Sequence, residues 1–465
     1  MRQFNALKRI NGNMKYVMMA ILIVAISGTI YSQKVWTLKD CIEYALENNI
    51  QIKKSELTAD VNKASFLQSK LNLIPSINGS TSYTFGSGRT DNGEFQYVNT
   101  NTKSASFGIS SGVTLFDGFQ KYNTIKQNQF NYLASKYDSD KMRDDISLML
   151  DQNYLNVLFS MELVEKSQAQ IDVTTQQIRN TQKLVDAGTL PKGSLLEIQS
   201  QFASEEVTLI NAQNRLNLAY LDLLQLLELP ATDNFIIQKP DLSVGNEMKI
   251  LPAEQIYGIS VTRLPQIKSA ELRYKSASKG VAIARGARSF EIAAYAGWRT
   301  NYYDQIHLYD RTTSPPLDLG IKPFKDQYKD NQSKYLQFSL SIPVFNGYAV
   351  STNISRAKIS EKNAEYDLQL SKNTVRKNIE QAYSDALAAY KTYNASMKSV
   401  ASFNEAFKYM EQKFNVGLEN SLNYNMSKMQ LSKAQSDLLS AKYDYIFKSK
   451  ILDFYMGNPL VLDEN

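Results

Sequence analysis

Apolar residues recur at every seventh position through two long stretches of the chain. Leu150, Val157, Val164, Ile171, Ile178 and Val185 form one series, and Ile379, Ala386, Tyr393, Val400, Phe407 and Phe414 form another. One glycine follows each (Gly188, Gly417). The spacing then resumes with Leu195, Phe202, Leu209, Leu216 and Leu223, and with Tyr424, Leu431, Leu438, Tyr445 and Leu452. A strict seven-residue apolar repeat makes helices supercoil left-handedly and pack knobs into holes. No proline or glycine interrupts 120–187 or 348–416. Each helix ahead of the glycine can therefore run for roughly 100 Å at 1.5 Å per residue. A compact globular domain has no use for a helix that long; a spacer or the wall of a tube has.

Other stretches alternate with a period of two, which predicts strands. "INGSTSYTF" puts Ile77, Thr81, Tyr83 and Phe85 on one side, and "ASFGISSGVTL" does so with Phe107, Ile109, Val113 and Leu115. "FEIAAYAGW" and "LQFSLSIPVF" follow later, the latter alternating Leu336, Phe338, Leu340, Ile342 and Val344. The segments joining each pair, Gly86 to Ser104 and Arg299 to Lys334, are polar and long. Ahead of the strands, helices are expected over Leu38 to Leu73 and Ala253 to Arg288.

The order of these patterns is the same twice. "LFDG" at 115–118 recurs as "VFNG" 229 positions later, and "QIKKSEL" at 51–57 recurs as "QIKSAEL" 215 positions later. The chain therefore divides into a first repeat at 33–230, a linker at 231–250 rich in Pro, Asp, Asn and Gly, a second repeat at 251–459, and a tail at 460–465. Residues 1–32 precede the repeats. They hold an apolar run from Tyr16 to Ile26 behind Lys15, then small residues up to Ser32, the layout of a secretory signal peptide cleaved before Gln33. The run falls short of the ~20 residues a spanning helix needs. The start codon is Met1 or Met14.

Charge and composition narrow the function classes. The first 32 residues carry four basic and no acidic side chains; without them 48 Lys and Arg face 46 Asp and Glu, a net +2. The apparent basicity belongs to the export signal and gives no argument for nucleic acid as a partner. One cysteine excludes an internal disulfide, and one histidine argues against His-based zinc or triad chemistry. An exported enzyme is thus the weakest reading, no cofactor is expected, and His307 reads as a solvated loop residue. Nothing after the signal approaches a transmembrane helix, so any membrane span must be built of strands. Four strands cannot close a barrel alone, and an open sheet edge in lipid leaves backbone groups unsatisfied. Two chains would supply eight strands and three would supply twelve.

Taken together, the two copies, the strand pairs ending "LFDG" and "IPVFNG", and the glycine turns followed by "LLEIQSQ" and "SLNYNMSKMQ" resemble the TolC-type outer-membrane efflux proteins. The resemblance covers nearly the whole chain after residue 32. It implies an α+β membrane protein: a homotrimeric duct with four membrane strands per chain in a shared 12-stranded β-barrel, and a long coiled-coil tunnel in the periplasm of a Gram-negative bacterium. It also implies outer-membrane lipid, a periplasmic adaptor (membrane fusion) protein and an inner-membrane efflux transporter as partners. The chain would be a passive exit duct for efflux or type I secretion. An exported coiled-coil structural protein without a channel is the alternative; it leaves the alternating segments unexplained.

The same resemblance makes the glycine turns the periplasmic tip. Gly188, Val416, Gly417 and Leu418 would dock the adaptor, and Ser194, Glu197, Glu419, Asn423 and Met426 would line the entrance. Relatives carry aspartates six and nine residues past the second glycine, where this chain has Asn423 and Met426. The acidic ring is therefore largely missing. Glu197 and Glu419 either supply part of it, tripled by symmetry, or are solvated surface carboxylates. Met426 and Met429 are soft ligand atoms, but methionine in a helical seam is usually gap-filling core.

Overall fold

A computed structural model describes residues 35–91, 97–230, 235–240, 242, 251–460 and 462. The expected signal at 1–32 lies outside the described residues, as does most of the 231–250 linker. The elements in order are β1 (Val35–Trp36), α1 (Leu38–Asn48), α2 (Ile50–Leu71), β2 (Ser76–Asp91), β3 (Tyr97–Phe116), α3 (Gln120–Asp186) and α4 (Lys192–Leu226). They continue with β4 (Ile236–Ile237), α5 (Ala253–Arg263), α6 (Pro265–Gly286), β5 (Glu291–Tyr303), β6 (His307–Asp310), β7 (Leu317–Ile321), α7 (Phe324–Asp330), β8 (Ser333–Ser341), α8 (Ala349–Asn415) and α9 (Ser421–Met456). Among the described residues no helix is long and apolar enough to cross a membrane.

The helices expected over Leu38 to Leu73 and Ala253 to Arg288 are each broken once. Asn49 (φ −61°, ψ 128°) separates α1 from α2, and Leu264 (φ −61°, ψ 129°) separates α5 from α6. Pro265 explains the second break, since its ring drives the preceding residue out of the helical region. Position 50 is isoleucine, so the first break needs another cause. The Asn49 amide donates to the Leu226 carbonyl at 3.0 Å, and the Ile50 N–H donates to the Glu228 carboxylate at 3.3 Å. The same kink is thus set by a ring in one repeat and by polar contacts in the other.

The chain divides into two compact units. The first comprises the described residues of Gln51–Asp144 and Pro252–Gln381. Its centre is an antiparallel sheet in the order β2-β3-β5-β8. The register pairs Phe107 with Thr81 and Thr300, Ile109 with Trp298, and Ala294 with Phe338. Partners directly opposite share a face. One face therefore carries Ile77, Tyr83, Phe85, Phe107, Ile109, Val113, Trp298, Leu336, Phe338 and Leu340. The other carries Ser80, Ser82, Ser106, Ser110, Thr114, Arg299, Asn301 and Ser339. On that polar face Tyr295 and Tyr335 lie across Gly112 and Gly297 of the neighbouring strands, so a Cβ on Gly297 would sit 2.5 Å from the Tyr335 ring. A bulge leaves Leu115 unpaired and turns Phe116 onto the apolar side opposite Ile292. There Phe116 meets Phe119 and Phe290, with ring centroids 5.5 and 5.0 Å away.

The joining segments differ from the expected polar loops. Strands β2 and β3 run on to Asp91 and from Tyr97, so most of Gly86 to Ser104 is hairpin. Alternation of polar residues such as Ser87, Asn99 and Asn101 hides strand from a hydrophobicity pattern, while the backbone ladder continues. The segment from Arg299 to Lys334 is folded too, into β6, β7 and α7. His307 pairs there with Asp318 at 2.8 Å, holding β6 to β7.

The second unit comprises the described residues of Met1–Ile50, Asp145–Leu251 and Ala382–Asn465. Its helices use the seven-residue series as core. Leu150, Val157, Ile171, Leu195, Leu223, Ala386, Phe414, Tyr424, Leu431 and Leu452 are buried. Between α8 and α9 this core is aromatic: Tyr424 stacks on Phe414 at 4.8 Å and packs on Phe407 at 5.4 Å, and Tyr445 lies 6.4 Å from Tyr393. The first hairpin interleaves a second, polar series, Ser160, Ser167, Thr174 and Thr181, all buried. At the opposite end of this series, β1 pairs in parallel with β4. Tyr154 on α3 donates its hydroxyl to the Gln238 carbonyl at 2.7 Å and lies 3.2 Å from the Trp36 carbonyl, tying both short strands to the helix.

Candidate functional site

Sixty-seven residues of unbroken helix separate the strand unit's turn from each glycine turn, in α3 and again in α8. Both helices stop in the same way. The Gly417 N–H donates to Phe414 O at 3.0 Å and the Leu418 N–H to Lys413 O at 2.9 Å. Gly188 and Thr189 repeat this with Val185 and Leu184, each at 2.9 Å. That pair of bonds is the Schellman motif, which satisfies the last helical carbonyls and requires a left-handed residue. Gly188 and Gly417 supply it, with φ of 74° and 75°. Among the described residues a Cβ on either would meet nothing within 4 Å. Backbone conformation alone therefore selects glycine.

The following helices start differently. Pro191 precedes α4 and offers no side-chain cap. Asn420 caps α9, its side-chain oxygen accepting from the Asn423 N–H at 2.9 Å. The Asn423 amide turns back to the Glu419 carboxylate at 2.7 Å, which also accepts from the Asn420 N–H at 3.2 Å. These donors, the Asn423 amide first, hold the Glu419 carboxyl below its ordinary pKa range, helped by Lys413. Glu419 is therefore an anion folded onto the start of its own helix. Glu197 accepts a hydrogen bond from the Ser421 hydroxyl, which links α4 to the first residue of α9. Ser194, three residues before Glu197 on α4, is half-buried, and Asn423 and Met426 are exposed. The structure thus brings Glu197 to the second turn through Ser421, and Glu419 to Asn423. Val416 and Leu418, 69% and 77% exposed, project from the second turn.

Above the turns lies a feature the heptad pattern did not announce. Lys428 on α9 is buried, and its ammonium donates to the Thr174 hydroxyl at 2.6 Å and lies 3.6 Å from Glu205. Thr174 donates in turn to Glu205, and Gln170 and Gln201 donate to the same carboxylate at 3.0 and 3.1 Å. Burial pushes the Lys428 ammonium below its usual pKa, and Glu205 opposes that. The cluster ties α3, α4 and α9 together. A groove of about 520 Å³ beside it is lined by Lys166, Gln170, Gln201, Glu205, Met429 and Lys433, among others. One sequence signal existed: Glu205 interrupts the otherwise small or apolar series Ile198, Ala212, Ala219. A second buried charge, Asp151, follows Leu150 on α3. Among the described residues neither carboxylate oxygen has a hydrogen-bond partner, and burial raises its pKa to about 7 against the pull of Lys450.

Among the described residues no three His, Cys, Asp or Glu side chains gather as a metal site would need. What the molecule does offer is a sheet with one apolar and one polar face, two very long helices, and paired glycine turns. The family model for outer membrane efflux protein matches residues 41–228 and 258–458.

The chain belongs to the outer membrane efflux protein family.

Individual members of that family are distant in sequence. Outer membrane protein TolC of Escherichia coli (strain K12) is 21% identical over 454 residues, 96% of this chain and 87% of its own length. Alkaline protease secretion protein AprF of Pseudomonas aeruginosa is 23% identical over 443 residues, 92% of this chain and 85% of its own. The solved structure of outer membrane protein VceC of Vibrio cholerae superposes with a TM-score of 0.74 at 14% identity, covering 90% of this chain and 96% of that one. This efflux-family protein is accordingly an outer-membrane channel that extends into the periplasm, of the class that serves efflux and type I secretion. The expected α+β fold, a four-stranded antiparallel sheet together with long helices, is the fold it has.

Proposed function

We propose that three copies of this chain close a twelve-stranded barrel in the outer membrane and a helical tunnel in the periplasm, forming a homotrimeric exit duct. The observation that carries this reading is the sheet β2-β3-β5-β8. It has an apolar face for lipid, a polar face for a lumen, and edge strands at β2 and β8 that pair with nothing else among the described residues. In hydrocarbon each unpaired backbone group costs several kcal/mol. Four strands are too few to curl shut, whereas three sets of four close a barrel of ordinary size. The duct itself is passive. An inner-membrane transporter supplies the energy through a periplasmic adaptor protein.

The two glycine turns form the periplasmic tip in this proposal. Gly188 and Gly417 make the turns, and Val416 and Leu418 offer the adaptor an apolar contact. Ser194, Glu197, Glu419, Asn423 and Met426 surround the entrance. Glu419 and Glu197 give it a modest negative potential in place of an aspartate ring. The Lys428, Glu205 and Thr174 cluster holds the two hairpins together just above that entrance.

The test is direct. Protein extracted from outer membranes in mild detergent should run as a heat-modifiable trimer and form pores in planar bilayers. A photo-crosslinker at Leu418 should trap one periplasmic adaptor, identified by mass spectrometry. A water-soluble elongated dimer with no conductance would overturn the proposal.

A further inference from the structure

The segment between β5 and β8 does something that a duct does not require. Helix α7 lies on the apolar face of the sheet, not on the polar one. Its Phe324 packs against Phe107 at 6.0 Å and Tyr302 at 5.5 Å, and its Tyr328 against Phe107 and Trp298, each at 6.0 Å. Phe107, Trp298 and Tyr302 share their face with Phe338 and Leu340 by register. Polar contacts fix the helix there. Gln327, fully buried, accepts from the Tyr303 N–H at 3.0 Å and donates to the Tyr303 and Lys322 carbonyls at 2.9 and 2.8 Å. Thr300 donates to Tyr328 O at 2.8 Å, and Asn331 to Asn301 O at 2.7 Å.

The outward side of α7 is left amphipathic. Phe324 and Tyr328 remain 48% and 38% exposed on one side, while Lys325, Asp326 and Lys329 are exposed around them. The level at which it sits is marked by charge. By register Lys103 and Lys334 stand on the apolar face at this same end, opposite Phe85 and Trp298. Long amphipathic side chains occupy such positions where hydrocarbon gives way to headgroups. Aromatic rings gather there as well, in the girdles that flank the apolar band of a membrane barrel.

We propose that α7 is a lipid-contacting anchor of the outer leaflet: its two rings extend the barrel's aromatic girdle sideways into lipid, at the boundary between acyl chains and headgroups. This rests on the barrel reading above. It gives the β5–β8 segment a peripheral place, outside the wall, where a lid or plug over the lumen would need the polar face. The occupant is outer-leaflet lipid, because the exposed rings continue a surface that lipid already covers. Helix α7 packs on β5, an inner strand of the sheet, and the exposed edges belong to β2 and β8.

Nitroxide labels read this out. Cys41 is fully buried and stays unlabelled, so single cysteines can be placed in the intact chain. Phe324→Cys and Tyr328→Cys probe the anchor, Phe338→Cys the lipid face, and Ser106→Cys the polar face. The labelled protein is reconstituted into phosphatidylethanolamine and phosphatidylglycerol vesicles, and accessibility to oxygen is compared with accessibility to a soluble nickel chelate. The labels at 324, 328 and 338 should each favour oxygen several-fold more than the label at 106. If 338 favours oxygen but 324 or 328 favours nickel, the anchor is refuted and the barrel stands. If 338 itself favours nickel, the barrel reading fails and the anchor with it.

Discussion

The buried pair of Lys428 and Glu205 allows a quantitative test of how the helical hairpins are held. The charged atoms lie 3.6 Å apart, with both side chains over nine-tenths buried. At an effective dielectric of about 20, that separation gives an attraction of roughly 4–5 kcal/mol. Removing two ions from water costs several kcal/mol each, so the pair as a whole comes out near neutral. Breaking it does not: losing one partner of a buried pair typically costs about 3–5 kcal/mol. The two halves are not equivalent. In Lys428→Met the carboxylate keeps donors from Thr174, Gln170 and Gln201. That variant should fall at the low end of the range. Glu205→Gln leaves a buried ammonium without a counter-ion. Its cost is capped by releasing the proton, about 4–5 kcal/mol at neutral pH for a lysine of unfolded pKa about 10.4. With the folded pKa depressed, the unfolded state binds more protons, so the deficit shrinks as pH rises towards that value. The double variant Lys428→Met/Glu205→Gln should recover to within about 1 kcal/mol of the parent. Thermal melts of detergent-purified protein, at neutral pH and near the lysine pKa, measure all four corners of the cycle. Additive deficits, or a Glu205→Gln deficit that does not change with pH, would refute the reasoning.

Three further perturbations are specific. Asp151, raised to about 7, keeps in the folded state a proton that the unfolded chain gives up above about 3.9. Its cost is absent in acid and complete above neutrality, on the order of 4 kcal/mol. Asp151→Asn should therefore raise the melting temperature in mildly alkaline buffer and leave it unchanged in acid; an equal shift in both would exclude titration as the cause. At the second turn Gly417 faces open space at φ 75°, so only conformation is penalised. Gly417→Asn should weaken adaptor crosslinking least, Gly417→Ala more, at about 1–2 kcal/mol, and Gly417→Val most. A reversed order would remove the left-handed turn from the explanation. Gly118 is the opposite case, because a Cβ there would lie 2.3 Å from the Gly286 carbonyl oxygen. Gly118→Ala should cut the yield of folded protein in the membrane far more than Gly417→Ala, and quantitative blotting of membrane fractions compares them.

Much of the architecture is local enough to be written in the chain alone. A seven-residue apolar period determines a long supercoiled helix wherever it occurs, and α3 and α8 each end two residues before the glycine that closes them. Alternation at Leu336, Phe338 and Leu340 determines a two-faced strand, and a repeated order of elements determines that the same unit is built twice. Those signals are periodicities, which each segment carries without knowing its neighbours. What tertiary structure decided are the places where distant side chains meet. The kink at Asn49 depends on a carbonyl at Leu226, whereas its twin at Leu264 could be anticipated from Pro265. The bulge at Leu115 appears only when β3 is laid beside β5. Polar residues of the β2–β3 hairpin are strand because a backbone ladder runs past them. Helix α7 finds the apolar side of the sheet through Gln327 and two rings. Lys428 reads as one more surface lysine until Thr174, 254 positions earlier, and Glu205 close around it. A charge is exposed or buried according to what packs over it, and packing is set by residues far away in sequence.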